Sequence, residues 1–172
     1  IEKVLKIGQI TDPDINSKFL KFYQDTTLQT IISSVQSKYS NINDIQKELS
    51  IAFARLEQQI PNLQIPKVYT QISALVQSIV AGDGKIGISL DKYLGEDYPI
   101  YNKYYIKQQR KQMTRDNIIP DCLMFYLMSL YPLRNYDFRP QFERDIHMAK
   151  IQWVANKAMS NNYYKGKYVD IV

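Results

Sequence analysis

The side chains that most often carry out catalysis are scarce in this chain, which has one histidine, His147, and one cysteine, Cys122. A catalytic zinc site needs ligands that converge from fixed positions, commonly two histidines one helical turn apart, and a single histidine cannot form such a pair. The GxSxG motif of serine hydrolases is absent. Cys122 lies in an apolar stretch, where a small core residue is the expected role. We therefore predict no catalytic residue, no metal ligand and no cofactor.

Carboxylates are the remaining groups that could support hydrolysis. Paired carboxylates can flank a sugar and cleave its glycosidic bond, with nearby tyrosines stacked on the ring. The other interpretation is that these acids lie in a solvated loop, except for Asp121, which would be a favourable charge at a helix start. A hydrolase that acts through carboxylates is therefore the alternative function. The acids concerned are Asp91, Glu96, Asp97 and Asp121.

The most unusual local feature is the segment 93–115, in which tyrosines are followed by cations. No acidic residue lies between Asp97 and Asp116, and the five cations in that interval equal the net charge of +5. Interleaved aromatic and basic side chains can hold an anionic glycan, a membrane headgroup or a nucleic acid. Five charges are few, so we do not expect nucleic acid. The other interpretation is an aromatic loop pinned on the core, followed by a solvated helix face.

Hydrophobic periodicity predicts two helical regions before the middle of the chain. After an irregular lead-in of about a dozen residues, the spacing of apolar residues from Asn16 to Val35 suits one face of a helix, broken near 25–27. A second helix begins at Asn43 and ends before Pro61, because proline cannot continue the hydrogen-bond ladder.

The middle of the chain changes to the period of a β-strand. Strands are predicted over 66–73, 75–80 and 85–90, and the Gly82-Asp83-Gly84 turn supplies the positive φ angles of a tight hairpin. Gly87 and Ser89 face away from the core side of the last strand, which leaves room for a group packed against the backbone.

Two further helices are predicted in the last third. The segment 121–131 is apolar on almost every side and should lie at the centre of the fold, with Pro120 in its first turn. A last helix over 141–159 has an apolar face, and the polar tail beyond it is expected to fray. That face consists of Phe142, Ile146, Ala149 and Trp153.

Helices, a small group of antiparallel strands and further helices predict an α+β fold rather than alternating α/β. The sequence contains no run of about eighteen apolar residues, so it predicts no membrane-spanning helix. No linker or repeat divides the sequence. We therefore predict one domain over residues 1–172, with helices around a small antiparallel β-hairpin or sheet.

Several segments together resemble the GldB family of gliding motility-associated envelope lipoproteins from Bacteroidetes. The segments are IPKVYTQIS, SIVAGDGKIGISLDKYLGEDYPIY and IIPDCLMFYLMSLYP. The resemblance implies a lipid-anchored, periplasm-facing protein of the cell envelope, associated at the outer membrane with gliding and type IX secretion, whose partners are envelope proteins. The lipid-bearing N-terminal cysteine and a C-terminal helical extension expected from the resemblance are missing, so we expect a fragment whose membrane anchor lies outside this chain.

The predicted layout is also similar in outline to zinc peptidases of the gluzincin type, a zincin-like scaffold. In those enzymes HExxH would occupy a helix placed like 121–131, whereas this helix reads DCLMFYLMSLY and supplies only Asp121 as a ligand. We therefore expect a metallopeptidase-like scaffold without the metal motif. A groove between the Gly87/Ser89 strand and the Asp121 helix could then bind an extended chain by strand addition.

These observations favour a non-catalytic binding or assembly component of the envelope. The alternative remains a hydrolase that acts on an envelope polymer or peptide through carboxylates. The candidate binding residues are Asp91, Tyr93, Tyr98, Tyr101, Tyr104, Tyr105, Arg110, Lys111 and Asp121.

Overall fold

The structure is a computed structural model that describes residues 7–172. It contains two compact units, each assembled from separate stretches of the chain. Unit 1 comprises the chain up to Ile42 together with 69–78 and 87–117, and unit 2 comprises 43–68, 79–86 and 118–172. No single linker in the sequence separates the units, so the predicted single domain over 1–172 stays a prediction.

The α+β class is confirmed within the described residues. The helices are α1 (Ile15–Tyr23), α2 (Thr26–Lys38), α3 (Asn43–Gln59), α4 (Lys107–Arg110), α5 (Ile118–Leu130), α6 (Gln141–Met159) and α7 (Lys167–Ile171). The strands are β1 (Lys67–Gln71), β2 (Ile79–Gly82) and β3 (Lys85–Ser89). In residues 7–172, none of the helices has the length and apolar character needed to cross a membrane.

The three strands form one sheet in the order β1-β3-β2. Strands β2 and β3 are an antiparallel hairpin, since the Ser89 N–H donates to the Ser78 carbonyl at 2.9 Å. The two turn residues between them, Asp83 and Gly84, have φ angles of 49° and 67°, as the sequence predicted for a tight turn. Strand β1 runs parallel to β3, so the sheet is mixed rather than antiparallel throughout.

The second strand starts later than the sequence predicted. Periodicity placed it from residue 75, whereas β2 begins at Ile79. The residues before it form a loop in which Ala74 and Leu75 have left-handed φ angles of 53° and 67°. A strand needs extended backbone, so these two residues cannot belong to one.

The N-terminal helical region of unit 1 breaks where the sequence predicted. Asp25 lies between α1 and α2, and its Oδ1 accepts the Leu28 N–H at 2.8 Å, which caps α2. Helix α2 buries Leu28, Ile31 and Val35. Helix α1 buries no residue, so its predicted apolar face is not a core face. Residues 1–6 of the predicted irregular lead-in lie outside the described residues, and 7–14 precede the first helix.

The core of unit 2 is built around α5, as its apolar sequence predicted. Helix α5 begins at Ile118, three residues earlier than expected, and Pro120 occupies its first turn. It packs against β2, α3 and α6. The Tyr126 ring of α5 meets the Phe53 ring of α3 edge to face, with centroids 5.6 Å apart.

Helix α6 has the predicted bounds, but of its predicted apolar face Ala149 is buried whereas the two aromatic residues are not. Phe142 is 60% exposed and Trp153 is 38% exposed. The helix packs against α3, α5 and α7, so its buried residues lie on several sides and are mostly small. They are Ala149, Ile151, Ala155, Asn156 and Ala158.

The tail beyond α6 does not fray as predicted, because Asn156 fixes it. The buried Asn156 amide donates to the Tyr164 carbonyl at 2.7 Å, and its Oδ1 accepts the Tyr164 N–H at 2.9 Å. The chain then forms α7, which packs on α6 and buries Val169.

We predict that Asn156→Ala lowers the free energy of unfolding by about 1–3 kcal/mol, because two backbone groups of Tyr164 lose their hydrogen-bond partner. Chemical denaturation followed by circular dichroism measures the change. Asn162→Ala is the matched control, since Asn162 is exposed, and it should stay within about 0.5 kcal/mol of the parent protein. Equal effects of the two substitutions would contradict the assigned role of Asn156.

Candidate functional site

Asp91 is fully buried in unit 1 and is surrounded by hydrogen-bond donors. Its Oδ1 accepts the Ser73 N–H at 2.9 Å, and its Oδ2 accepts the Leu75 N–H at 2.6 Å. The Ser73 hydroxyl also donates to Oδ2 at 3.3 Å. The left-handed backbone at Ala74 and Leu75 turns these amides toward one point, as in the backbone nests that bind anions.

The protonation of Asp91 reflects two opposed effects. Burial raises the pKa of this carboxyl above its usual range, because a charge is costly away from water. The backbone N–H groups of Ser73 and Leu75 lower the pKa and offset part of that shift. A carboxylate with no exposed surface cannot contact a substrate or a partner, so this geometry assigns Asp91 a structural role.

Two of the candidate tyrosines are buried beside Asp91. Tyr101 has no exposed surface, and its hydroxyl donates to the backbone carbonyl of Asp91 and accepts the Leu94 N–H at 2.9 Å. Burial raises the pKa of Tyr101 far above its ordinary value. Tyr93 is 1% exposed, and its carbonyl accepts the Tyr39 hydroxyl at 2.6 Å. These contacts match the interpretation of an aromatic loop pinned on the core.

Tyr98 and Tyr105 continue this aromatic row on either side of Tyr101. The ring of Tyr101 meets the ring of Tyr98 at a centroid distance of 5.0 Å and that of Tyr105 at 5.7 Å, both edge to face. The Tyr98 hydroxyl donates to Ser34 Oγ at 3.1 Å. The Tyr105 hydroxyl donates to the Leu75 carbonyl at 2.7 Å, so it holds the same loop that binds Asp91.

Lys92 adds a charge to this arrangement. Its ammonium donates to the Tyr105 hydroxyl at 2.8 Å and lies 4.1 Å from the Tyr105 ring centroid. Burial lowers the pKa of Lys92, and the neighbouring Asp91 raises it in part. No local sequence signal singles out Lys92, because its role depends on a ring thirteen residues away.

The five cations of the segment divide into two groups. Arg110 donates to the Glu96 carbonyl and to the Asn102 side chain. Arg115 donates to the Asn41 carbonyl at 3.0 Å and lies over the Tyr39 ring. The other three cations are exposed, namely Lys103, Lys107 and Lys111. The segment therefore offers lysines rather than arginines to solvent.

The large apolar side chains that remain accessible in the segment lie next to these lysines. Tyr104 is 60% exposed, and Ile106 is 67% exposed. We call Lys103, Tyr104, Ile106, Lys107 and Lys111 the Tyr104 surface. Of the candidates proposed from the sequence, Tyr104 and Lys111 belong to this surface.

A cavity of about 750 Å³ lies in unit 1 beside Tyr104 and Tyr105. Helices α1 and α2 contribute half of its lining residues, and the left-handed loop contributes Ala74 and Leu75. No sequence pattern predicted this cavity, because its lining residues come from segments far apart in the chain. Its apolar lining includes Phe22, Leu28, Ile31 and Leu75.

Asp121 belongs to unit 2, where it lies half-buried in the first turn of α5. The other three acids of the alternative function, Asp91, Glu96 and Asp97, belong to unit 1. The predicted groove between the Gly87/Ser89 strand and the Asp121 helix stays a prediction. In unit 1 the space beside Gly87 is taken by Gln71, whose amide donates to Ser89 Oγ at 3.1 Å.

The remaining reactive side chains lie in unit 2. Cys122 is fully buried in α5, and burial raises the pKa of its thiol well above the ordinary value, which opposes thiolate formation. His147 is half-buried on α6. Within residues 7–172, no group of three or more His, Cys, Asp or Glu side chains is placed to hold a metal ion.

We predict that Asp91→Asn lowers the free energy of unfolding by about 2 kcal/mol. The amide oxygen can accept one of the two backbone N–H groups, but the amide nitrogen then faces the other N–H donor to donor. Chemical denaturation measures the loss. Asp97→Asn is the control, because Asp97 is exposed, and a variant of Asp91 as stable as this control would refute the structural role.

We also predict that Ala74→Gly raises the free energy of unfolding by about 0.5 kcal/mol. Glycine removes a left-handed backbone strain of about 1–2 kcal/mol. Its greater conformational entropy in the unfolded chain offsets part of this stabilisation. Ala54→Gly in the interior of α3 is the control and should be destabilising. Thermal or chemical unfolding measures whether each variant is more or less stable than the parent protein. Destabilisation by Ala74→Gly would contradict the claim that the backbone at Ala74 is strained.

Comparison with known proteins places this architecture in a family. No curated protein sequence and no solved structure gives a significant match. The profile of the family described as gliding motility protein GldB matches residues 1–167, which is nearly the whole chain. The resemblance inferred from the sequence segments is thereby confirmed, and the chain belongs to the GldB family of gliding motility lipoproteins.

Proposed function

We propose that this chain is a non-catalytic component of the cell envelope that works by contact with another envelope protein. Membership of a family of gliding motility lipoproteins supports a lipid-anchored position in the envelope. The periplasm-facing orientation and the protein partner are parts of the proposal.

The placement of the reactive side chains supports a non-catalytic role. The Asp91 carboxylate binds backbone amides of its own unit, and the Cys122 thiol is buried in an apolar helix. A hydrolase needs a carboxylate that can reach its substrate. Burial of Asp91 therefore removes one of the four candidate acids of the alternative function.

The observation that carries the proposal is the exposure of Tyr104 and Ile106 on a fixed segment. Tyr101 and Tyr105 anchor the backbone on either side of Tyr104 through their hydroxyl groups. A surface that is already ordered loses little conformational entropy when it binds. Exposed aromatic and aliphatic groups in such a setting are typical anchors of protein interfaces.

The charges of the Tyr104 surface indicate the kind of partner. Its three lysines lie in the sequence interval between Asp97 and Asp116, which contains no acidic residue. The complementary surface is therefore an apolar patch with acidic residues at its edge. The adjoining cavity has an apolar lining and the volume to receive a side chain of the partner.

The test uses Ile106→Asp and the matched control Ile171→Asp. Ile171 is 69% exposed in α7, close to the 67% of Ile106, but lies in unit 2. A photo-crosslinking residue at position 104, introduced in cells, first captures the partner for identification. Binding of the purified partner should then weaken about tenfold or more in Ile106→Asp and stay unchanged in the control.

Two results would contradict the proposal. Equal affinity of the partner for Ile106→Asp and the parent protein would exclude the Tyr104 surface as the contact. Turnover of an envelope polymer by the purified chain, abolished in a folded variant that lacks one carboxylate, would exclude the non-catalytic role.

A further inference from the structure

A second cavity of about 600 Å³ lies in unit 2, where α6 ends and the chain turns toward α7. Its lining is mostly polar, in contrast to the apolar cavity of unit 1. Residues from the last turns of α6, from the following loop and from α7 contribute to it. They include Trp153, Lys157, Ser160, Asn161, Asn162 and Asp170.

The loop that supplies two of these amides is held in place before any ligand binds. Helix α6 ends at Met159, and the next residue, Ser160, has a left-handed φ angle of 54° that turns the chain. The Asn161 N–H donates to the Asn156 carbonyl at 3.2 Å, and the buried Asn156 side chain binds both backbone groups of Tyr164. Asn161 and Asn162 are therefore presented at fixed positions.

Trp153 contributes a flat apolar surface to this polar cavity. It is the single tryptophan of the chain and is 38% exposed. The Lys157 ammonium lies 5.0 Å from its ring centroid, on the following turn of the helix. An apolar ligand would leave the surrounding amides and hydroxyl without partners, at a cost for each such group. A small ion would leave the ring unused.

The charges of the cavity are nearly balanced. Lys157, Lys165 and Asp170 line it, and the carbonyl end of α6 adds a partial negative charge. No strong field of one sign is present in this lining, so a polyanion gains little here. The matching ligand has an apolar C–H face for the ring and many hydroxyl groups for amides, which both donate and accept. A sugar has these properties.

We propose that this cavity binds a neutral glycan, with one sugar ring stacked on Trp153 and its hydroxyl groups bonded by Asn161, Asn162 and Lys157. The proposal goes beyond the protein contact proposed above and does not depend on it. The site lies in unit 2, whereas the Tyr104 surface lies in unit 1.

The single tryptophan makes the test direct, because all tryptophan emission reports on this cavity. The full chain is titrated with chitotriose, maltotriose and mannotriose in turn. We expect a saturable change in emission with at least one of them. Asn162→Ala should weaken that binding about tenfold, which corresponds to the loss of one good hydrogen bond.

A second variant and a control complete the test. Trp153→Phe, followed by calorimetry because it lacks the reporter, should bind more weakly through its smaller ring. Phe138→Ala is the matched control, since Phe138 is an aromatic residue of the same unit that is 90% exposed, and it should bind like the parent protein. Binding that Asn162→Ala leaves unchanged, equal loss in the control, or no saturable change with any of the three sugars would overturn the proposal.

Discussion

The bonds between the Asp91 carboxylate and the 73–75 loop are the interaction on which unit 1 depends. A buried charge costs several kcal/mol, and left-handed backbone at Ala74 and Leu75 costs about 1–2 kcal/mol at each residue. Both costs are offset in one place, because the strained backbone aims its amides at the charge. The Leu75 carbonyl then accepts the Tyr105 hydroxyl, so the position of the tyrosine segment follows from the same loop.

The sequence could predict the elements whose signals are local. Proline lacks an N–H, so Pro61 marks the end of α3 and Pro120 marks the first turn of α5. Asp83-Gly84 marks a turn because both residues tolerate positive φ angles. The left-handed loop has no such signal. Ala74 and Leu75 are ordinary residues for a strand, and their conformation is stabilised by contacts with residues distant in the sequence, Asp91 and Tyr105. The parallel pairing of β1 with β3 is equally non-local.

The candidate site was predicted in composition but not in orientation. A tyrosine can lie in a core with its hydroxyl bonded or at a surface with its ring exposed, and the sequence does not distinguish these cases. Tyr101 and Tyr104 are three residues apart, yet one is fully buried and the other is 60% exposed. Trp153 shows the reverse case. Periodicity placed it on one apolar face with Ala149, but α6 packs mainly through alanines on several sides and leaves the indole 38% exposed at a cavity.

The two proposed surfaces share one property of the fold, namely that each lies next to a loop ordered by a buried polar side chain. Asp91 orders the loop beside Tyr105, and Asn156 orders the loop beside Trp153. In each case a buried polar group fixes backbone, and an exposed aromatic residue lies next to the fixed segment. Such preorganisation lowers the entropy lost on binding without any reactive group. The proposed recognition by shape would use this arrangement, since it presents ordered surfaces without a reactive group.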